Sequence, residues 1–182
     1  MITYICILRG INVGGNRMIT MDSLRSMMSE LSCSNVRTYI QSGNIVFQFG
    51  TTDEAILEQK ISEAISVKFG FDVPVMVKNA TEWAVILAKN PFLLDKSKDE
   101  TFFHITFLAT VPTAENIAKI QIGQFQNDDF CILDKAVYLY CPNGYGHSKL
   151  TNSFWENKLK TTATTRNWKT CKELVNLIIK DN

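Results

Sequence analysis

One ordering of apolar periodicities, met twice along the chain, limits its fold more than any other feature. Residues 3–8 are apolar on both faces, as in a strand covered on both sides. After a glycine-rich stretch, Thr20 caps a helical pattern with Met21, Leu24, Met27, Met28 and Leu31 on one side. Residues 36–40 and 45–49 alternate as strands on either side of QSGN (41–44), where Gly43 and Asn44 suit a tight antiparallel turn. Thr51 and Glu54 match a capping box. The helix they open carries Ile56, Leu57, Ile61, Ala64 and Ile65 and stops at Gly70. A fourth strand spans 73–77, so the order is strand, helix, strand, strand, helix, strand.

A connecting helix from Thr81 to about Lys89 ends before Pro91, and polar DKSKDE (95–100) marks the expected boundary. The order then begins again. A strand at 102–108 precedes a helix capped near Thr113 with Ile117 and Ile120. Strands at 129–133 and 137–141 turn around Asp134 and Lys135. A helix carries Leu150, Phe154, Trp155 and Leu159, ATT (163–165) is a short edge strand, and a last helix starts at Asn167. The reading is an α+β chain: two ferredoxin-like βαββαβ halves in tandem, 1–79 and 101–182, with a connecting segment at 80–100 and a C-terminal helix. No repeat of residue identity accompanies the repeated order.

The 182 residues can bury a real core, and the 46% apolar and 20% charged shares are ordinary for a globular protein. No apolar run approaches the ~18 residues of a membrane span. The N-terminus has neither the basic region nor the cleavage site of a signal peptide. Five cysteines without CxxC spacing fit a reducing cytoplasm better than a disulfide framework. With two histidines, a metal site has little support, and no cofactor motif is present. The net charge of +1 conceals +2 in residues 1–50, −5 in 51–146 and +4 in 147–182. All five arginines (Arg9, Arg17, Arg25, Arg37 and Arg166) lie in the end segments, and arginine grips carboxylate or phosphate with paired hydrogen bonds.

Topology then sorts the loops. In a split βαββαβ sheet, the exit of strand one and the turn between strands two and three share one edge. In the first half that edge gathers RGINVGGNR (9–17) and QSGN. In the second half, PNGYGHSK (142–149) and TTRN (164–167) leave strands three and four at the opposite edge. With the halves packed head-to-tail, all four segments meet in one cleft. Its expected binding residues are Arg9, Gly10, Asn12, Gly14, Gly15, Arg17, Gln41, Ser42, Asn44, Gly146, Ser148, Lys149, Arg166 and Asn167, with helix starts near Ser148 and Asn167. Helix N-termini and glycine-rich amides attract anions. Each piece also has a plainer reading: a glycine-bent loop, a hairpin turn, or a helix cap at Ser148 or Asn167. RGINVGGNR matches neither GxxxxGK[ST] nor GxGxxG. His147 and Ser148 have no orienting acid, His104 reads as a sheet-face histidine, and Trp83, Trp155 and Trp168 read as packing anchors.

LRGINVGGNRMI, TYIQSGNIVF, GYGHSKLTN and TTRNWKT, in this order, resemble the domain of unknown function 1697 family of uncharacterised bacterial proteins, along residues 1 to about 180. The resemblance implies a cytoplasmic α+β protein. It supplies no reaction, cofactor or catalytic residue.

Three functions compete. The favoured one is an enzyme for, or a binder of, a phosphate- or carboxylate-bearing small molecule, with the basic residues neutralising charge and Asn12, Gln41, Ser42, Asn44 and Asn167 reading the rest. The four segments contain no acid, which lowers the expectation of side-chain proton transfer or carboxylate-held magnesium. A single-stranded RNA module is less favoured. Tyr4, Tyr138 and Tyr140 stand on candidate stacking strands, but SGNIVFQF is a poor match to the RNP1 pattern. A protein-interaction module is the third, and an exposed apolar patch beside the cleft would favour it. Oligomeric state is not readable.

Overall fold

The first apolar run forms strand β1, Ile2–Leu8, with Tyr4, Cys6 and Leu8 on one face and Ile5 and Ile7 on the other, all buried. The computed structural model describes residues 1–120, 125 and 127–179. The chain divides into two units, Met1–Val85 with the described residues from Lys172 on, and Ile86–Cys171.

In the first unit β1 is followed by helix α1, Met21–Glu30; strands β2, Ser34–Tyr39, and β3, Asn44–Phe49; helix α2, Glu54–Phe69; and strand β4, Val75–Asn79. The sheet is antiparallel in the order β2-β3-β1-β4. Thr20 caps α1 by accepting from Ser23 N. Met21, Leu24, Met27 and Met28 of α1 and Leu57, Ile61 and Ile65 of α2 pack on Cys6, Leu8, Ile45 and Phe47. The i, i+3, i+4 spacing of the sequence is what lines these residues up. α2 ends on Gly70 at φ 79, the left-handed cap that glycine adopts most cheaply.

The expected capping box does not form. Asp53, not Thr51, caps α2 by accepting from Ala55 N. Glu54 instead turns to β4, where Oε1 accepts from Asn79 N at 2.7 Å and Oε2 lies 3.5 Å from Lys78 Nζ. Strand four begins at Val75, after Pro74, which has no N–H to offer a ladder.

α3, Ala80–Ala88, carries the chain to the second unit. Segment 95–100 is tied into that unit: Lys98 Nζ lies 2.6 Å from Asp129 and 4.2 Å from the centre of the Tyr140 ring. Strand β5, Phe103–Leu108, helix α4, Ala114–Ala118, strands β6, Asp129–Leu133, and β7, Ala136–Tyr140, helix α5, Asn152–Leu159, and strand β8, Ala163–Asn167, repeat the first unit's order. Their sheet runs β6-β7-β5-β8, the same topology. Leu108, Val137, Leu139, Leu150, Trp155, Leu159 and Ala163 form the core on its helix side. α6, Trp168–Ile179, closes the described chain. Trp83, Trp155 and Trp168 are buried, as their helical spacing predicts. The structure is thus α+β in two halves, each a four-stranded antiparallel sheet with helices.

Helix α5 starts later than Ser148. Ser148 Oγ accepts from Leu150 N, closing a local turn, and Thr151 is the true cap, accepting from Phe154 N. Asn167 does cap α6, accepting from Thr170 N at 2.8 Å.

Candidate functional site

In the first unit the exit of β1 and the β2–β3 turn meet, as strand direction requires. Leu8 N donates to Gly43 O at 2.8 Å. Asn12 Nδ2 donates to Gln41 O at 2.7 Å and to Ile19 O at 2.9 Å, while its Oδ1 accepts from Ile19 N at 2.8 Å. One side chain therefore ties both ends of the loop to the turn. Between them the loop folds into a small hairpin: Asn12 N donates to Arg17 O and Asn16 N to Val13 O. Gly14 and Gly15, at φ 58 and 75, occupy its tip, where a primed turn requires positive φ at both positions. Gly43, at φ 73, is needed for a different reason. A Cβ there would stand 2.7 Å from Leu8 Cβ and 2.9 Å from Ile11 Cδ1.

The expected binding residues of this unit sort by burial. Asn44 is buried, and its Nδ2 donates to Tyr39 O and Ser42 Oγ, which braces the turn. Arg9 is half-buried, and its N–H donates to Pro74 O. Arg17 and the Gln41 side chain are exposed, and the Arg17 guanidinium lies over Gly10. Arg17 has no ion-pair partner among the described residues.

A pocket of about 510 Å³ opens beside this junction. Asn12, Met18 and Ile19 of the loop form one side, and Thr20, Met21 and Asp22 at the start of α1 form another. Arg25, Thr38, Ile40 and Gln41 complete it. Arg25 spans from α1 to the sheet edge, where Nη1 donates to Thr38 Oγ1 at 2.6 Å and Nη2 bonds Asp22 Oδ1. Met18 and Ile40 stay exposed on the rim, and Ile40 holds φ 48, rare for a β-branched residue. Arg25, Thr38, Met18 and Ile40 were not among the residues expected from the sequence. One signal was there: Arg25 lies four residues after Met21, on the flank of the apolar stripe that faces the sheet.

In the second unit TTRN lies within β8 rather than beyond it, and the segment after β7 meets the middle of that strand. Tyr145 Oη donates to Thr165 Oγ1 at 3.1 Å, and Thr165 Oγ1 in turn donates to Asn152 Oδ1 at 2.7 Å. The Tyr145 ring stacks on His104 at 4.8 Å, and burial lowers the His104 pKa. Strand alternation then separates neighbours: Thr165 faces Tyr145, whereas Arg166 projects from the other face of β8, with Nη1 donating to Thr165 O. Gly146, His147 and Lys149 are exposed, and Ser148 is half-buried. Arg9 and Arg17 belong to the first unit, Lys149 and Arg166 to the second.

Of the aromatic residues expected to stack on RNA bases, two are buried and Tyr140 is half-buried, with Lys98 Nζ over its ring. Tyr4 is buried on the helix side against Phe47, and Tyr138 is buried with its hydroxyl donating to Ile86 O. The opposite face of the first sheet offers Ile5, Ile7, Val46 and Met76, all buried. Among the described residues no group of His, Cys, Asp and Glu is placed to hold a metal ion, and no helix is long and apolar enough to cross a membrane.

This architecture is that of a family. The chain belongs to DUF1697, described as a protein of unknown function, whose model matches residues 1–138. It is similar in structure to SP0830, a conserved bacterial protein from Streptococcus pneumoniae, with a TM-score of 0.68 at 20% identity over 97% of this chain and 98% of that one. At that identity the likeness speaks for the fold alone. No curated protein matches the chain.

Proposed function

We propose that the first unit binds a small molecule bearing a phosphate or carboxylate, at the sheet end where the 9–19 loop meets the 40–43 turn. The observation that carries this reading is the convergence itself. Asn12 ties two distant segments together beside a pocket of about 510 Å³, within the range of small-molecule sites. Arg17, exposed and next in sequence to the pocket residue Met18, supplies a cation, and the N-terminus of α1 adds its dipole. The reading is one of binding and includes no reaction.

A melting-temperature screen with nucleotides, sugar phosphates and di- and tricarboxylates tests it. A ligand at about 100 times its Kd stabilises by about 2.7 kcal/mol, which is easily read as a shift. At least one anion should give such a shift, and Arg17→Ala should reduce it. A flat response to every anion would end the reading. The protein-interaction alternative draws support from the exposed Val13, Met18 and Ile40 around the same loop. It requires that Val13→Ser abolish partner capture while leaving anion shifts intact.

A further inference from the structure

The pocket beside α1 has two features that a generic anion site does not need. First, its wall cation is held in advance. Arg25 is anchored at one nitrogen by Thr38 Oγ1, and its other nitrogen meets Asp22, whose side chain is 91% exposed. An exposed carboxylate on a guanidinium occupies the place where a ligand carboxylate or phosphate would sit, and it can swing into water at little loss. Second, Ile40 keeps φ 48 while the residue remains 53% exposed on the rim. Asparagine or glycine would hold that backbone more easily, and the exposed side chain adds little to the core. Unfavourable backbone geometry maintained at a pocket rim points to a use for the side chain it presents. Met18, flexible and polarisable, stands on the same rim.

We propose that this pocket takes a small organic anion carried on an apolar body, with Arg25 receiving the carboxylate or phosphate in place of Asp22 and with Ile40 and Met18 gripping the apolar part. The inference rests on the anion-binding reading and narrows it, moving the charge contact from Arg17 to Arg25 and requiring an apolar body. The volume of about 510 Å³ suits one molecule of that kind and not a protein helix.

The test is an amide NMR titration of the full chain with octanoate and with phenyl phosphate, beside octanol and inorganic phosphate. Both amphiphilic anions should shift amides at residues 18–25 and 38–41, and their half-probes should bind far more weakly. Arg25→Met should weaken both about tenfold or more, as loss of a charge-assisted contact does. Asp22→Asn should tighten them about threefold by removing the internal competitor. This substitution sits on an exposed side chain and keeps the test valid if Arg25→Met unfolds. Ile40→Asn should weaken binding several-fold and yet raise the melting temperature, a combination that a purely structural role for Ile40 does not produce. Octanol binding as well as octanoate, or no tightening in Asp22→Asn, would overturn the inference. Anion shifts confined to Arg17 and the Gly14–Gly15 tip, insensitive to Arg25, would overturn it too and leave the broader reading standing. No response to these probes or to any anion in the melting screen would remove both.

Discussion

Ile40, Gly43 and Asn12 show how much of a site's shape depends on single backbone angles and single side chains. An L-residue in the left-handed region loses about 1–2 kcal/mol, and branching at Cβ adds to this. Ile40→Asn should therefore raise stability by about 0.5–1 kcal/mol, read as a higher urea midpoint with an unchanged slope. Gly43→Ala should act the other way. The new Cβ meets Leu8 and Ile11 and the backbone keeps φ 73, so a loss of about 2–4 kcal/mol is expected from strain and overpacking together. Asn12→Ala removes two hydrogen bonds that close the loop on Ile19 and one that ties it to the turn, a loss of about 1–3 kcal/mol, with faster amide exchange at Ile19 as the local signature. That Gly43 belongs to a turn was legible in QSGN. That it must be glycine because Leu8 lies against it was not, since the contact joins residues far apart in sequence. RGINVGGNR shows the converse. Its composition suggested an anion cradle, while Gly14 and Gly15 serve the tip of a small hairpin.

At the scale of elements, both units protect an edge strand in the same way. The outward N–H groups of β4 at Val77 and Asn79 donate to Glu58 and Glu54 of α2, and Ala163 N of β8 donates to Glu156 of α5. A carboxylate from the second helix thus blunts the fourth strand, where an open row of donors would invite pairing with another chain. Glu58→Ala should leave Val77 N–H without its acceptor, lower stability by about 1–3 kcal/mol and speed exchange at Val77. Element order and type were readable from periodicity, because strands and helices write their buried faces at different spacings. Caps were less readable. Thr51 and Glu54 satisfied the capping-box pattern, but Glu54 has a stronger use on β4, and Asp53 takes the cap.

For the whole molecule, buried titratable groups set the pH limits of stability. Burial lowers the pKa of His104 below its ordinary 6.5, so the unfolded chain takes up that proton first as pH falls. The stabilisation is complete above 6.5 and is lost as pH falls through the lowered folded value. Urea midpoints should decline as pH falls below 6.5, and His104→Gln should flatten that limb. On the alkaline side, burial pushes the Cys33 and Cys141 thiols up from 9.0 to about 11. Their contribution is intact below pH 9 and disappears toward 11, because the unfolded thiols ionise first.

Periodicity, turn residues and strand direction were enough to determine from the sequence alone that the chain has two βαββαβ halves and that 9–17 meets QSGN. Those features act over a few residues or follow from topology. Which side chains then face the meeting point was decided only by tertiary structure. Strand alternation turns Arg166 away from Thr165, Asn12 and Asn44 are absorbed into the scaffold, and Arg25 reaches across from α1 to Thr38. Direction and partner in these cases depend on packing between segments that local sequence does not encode.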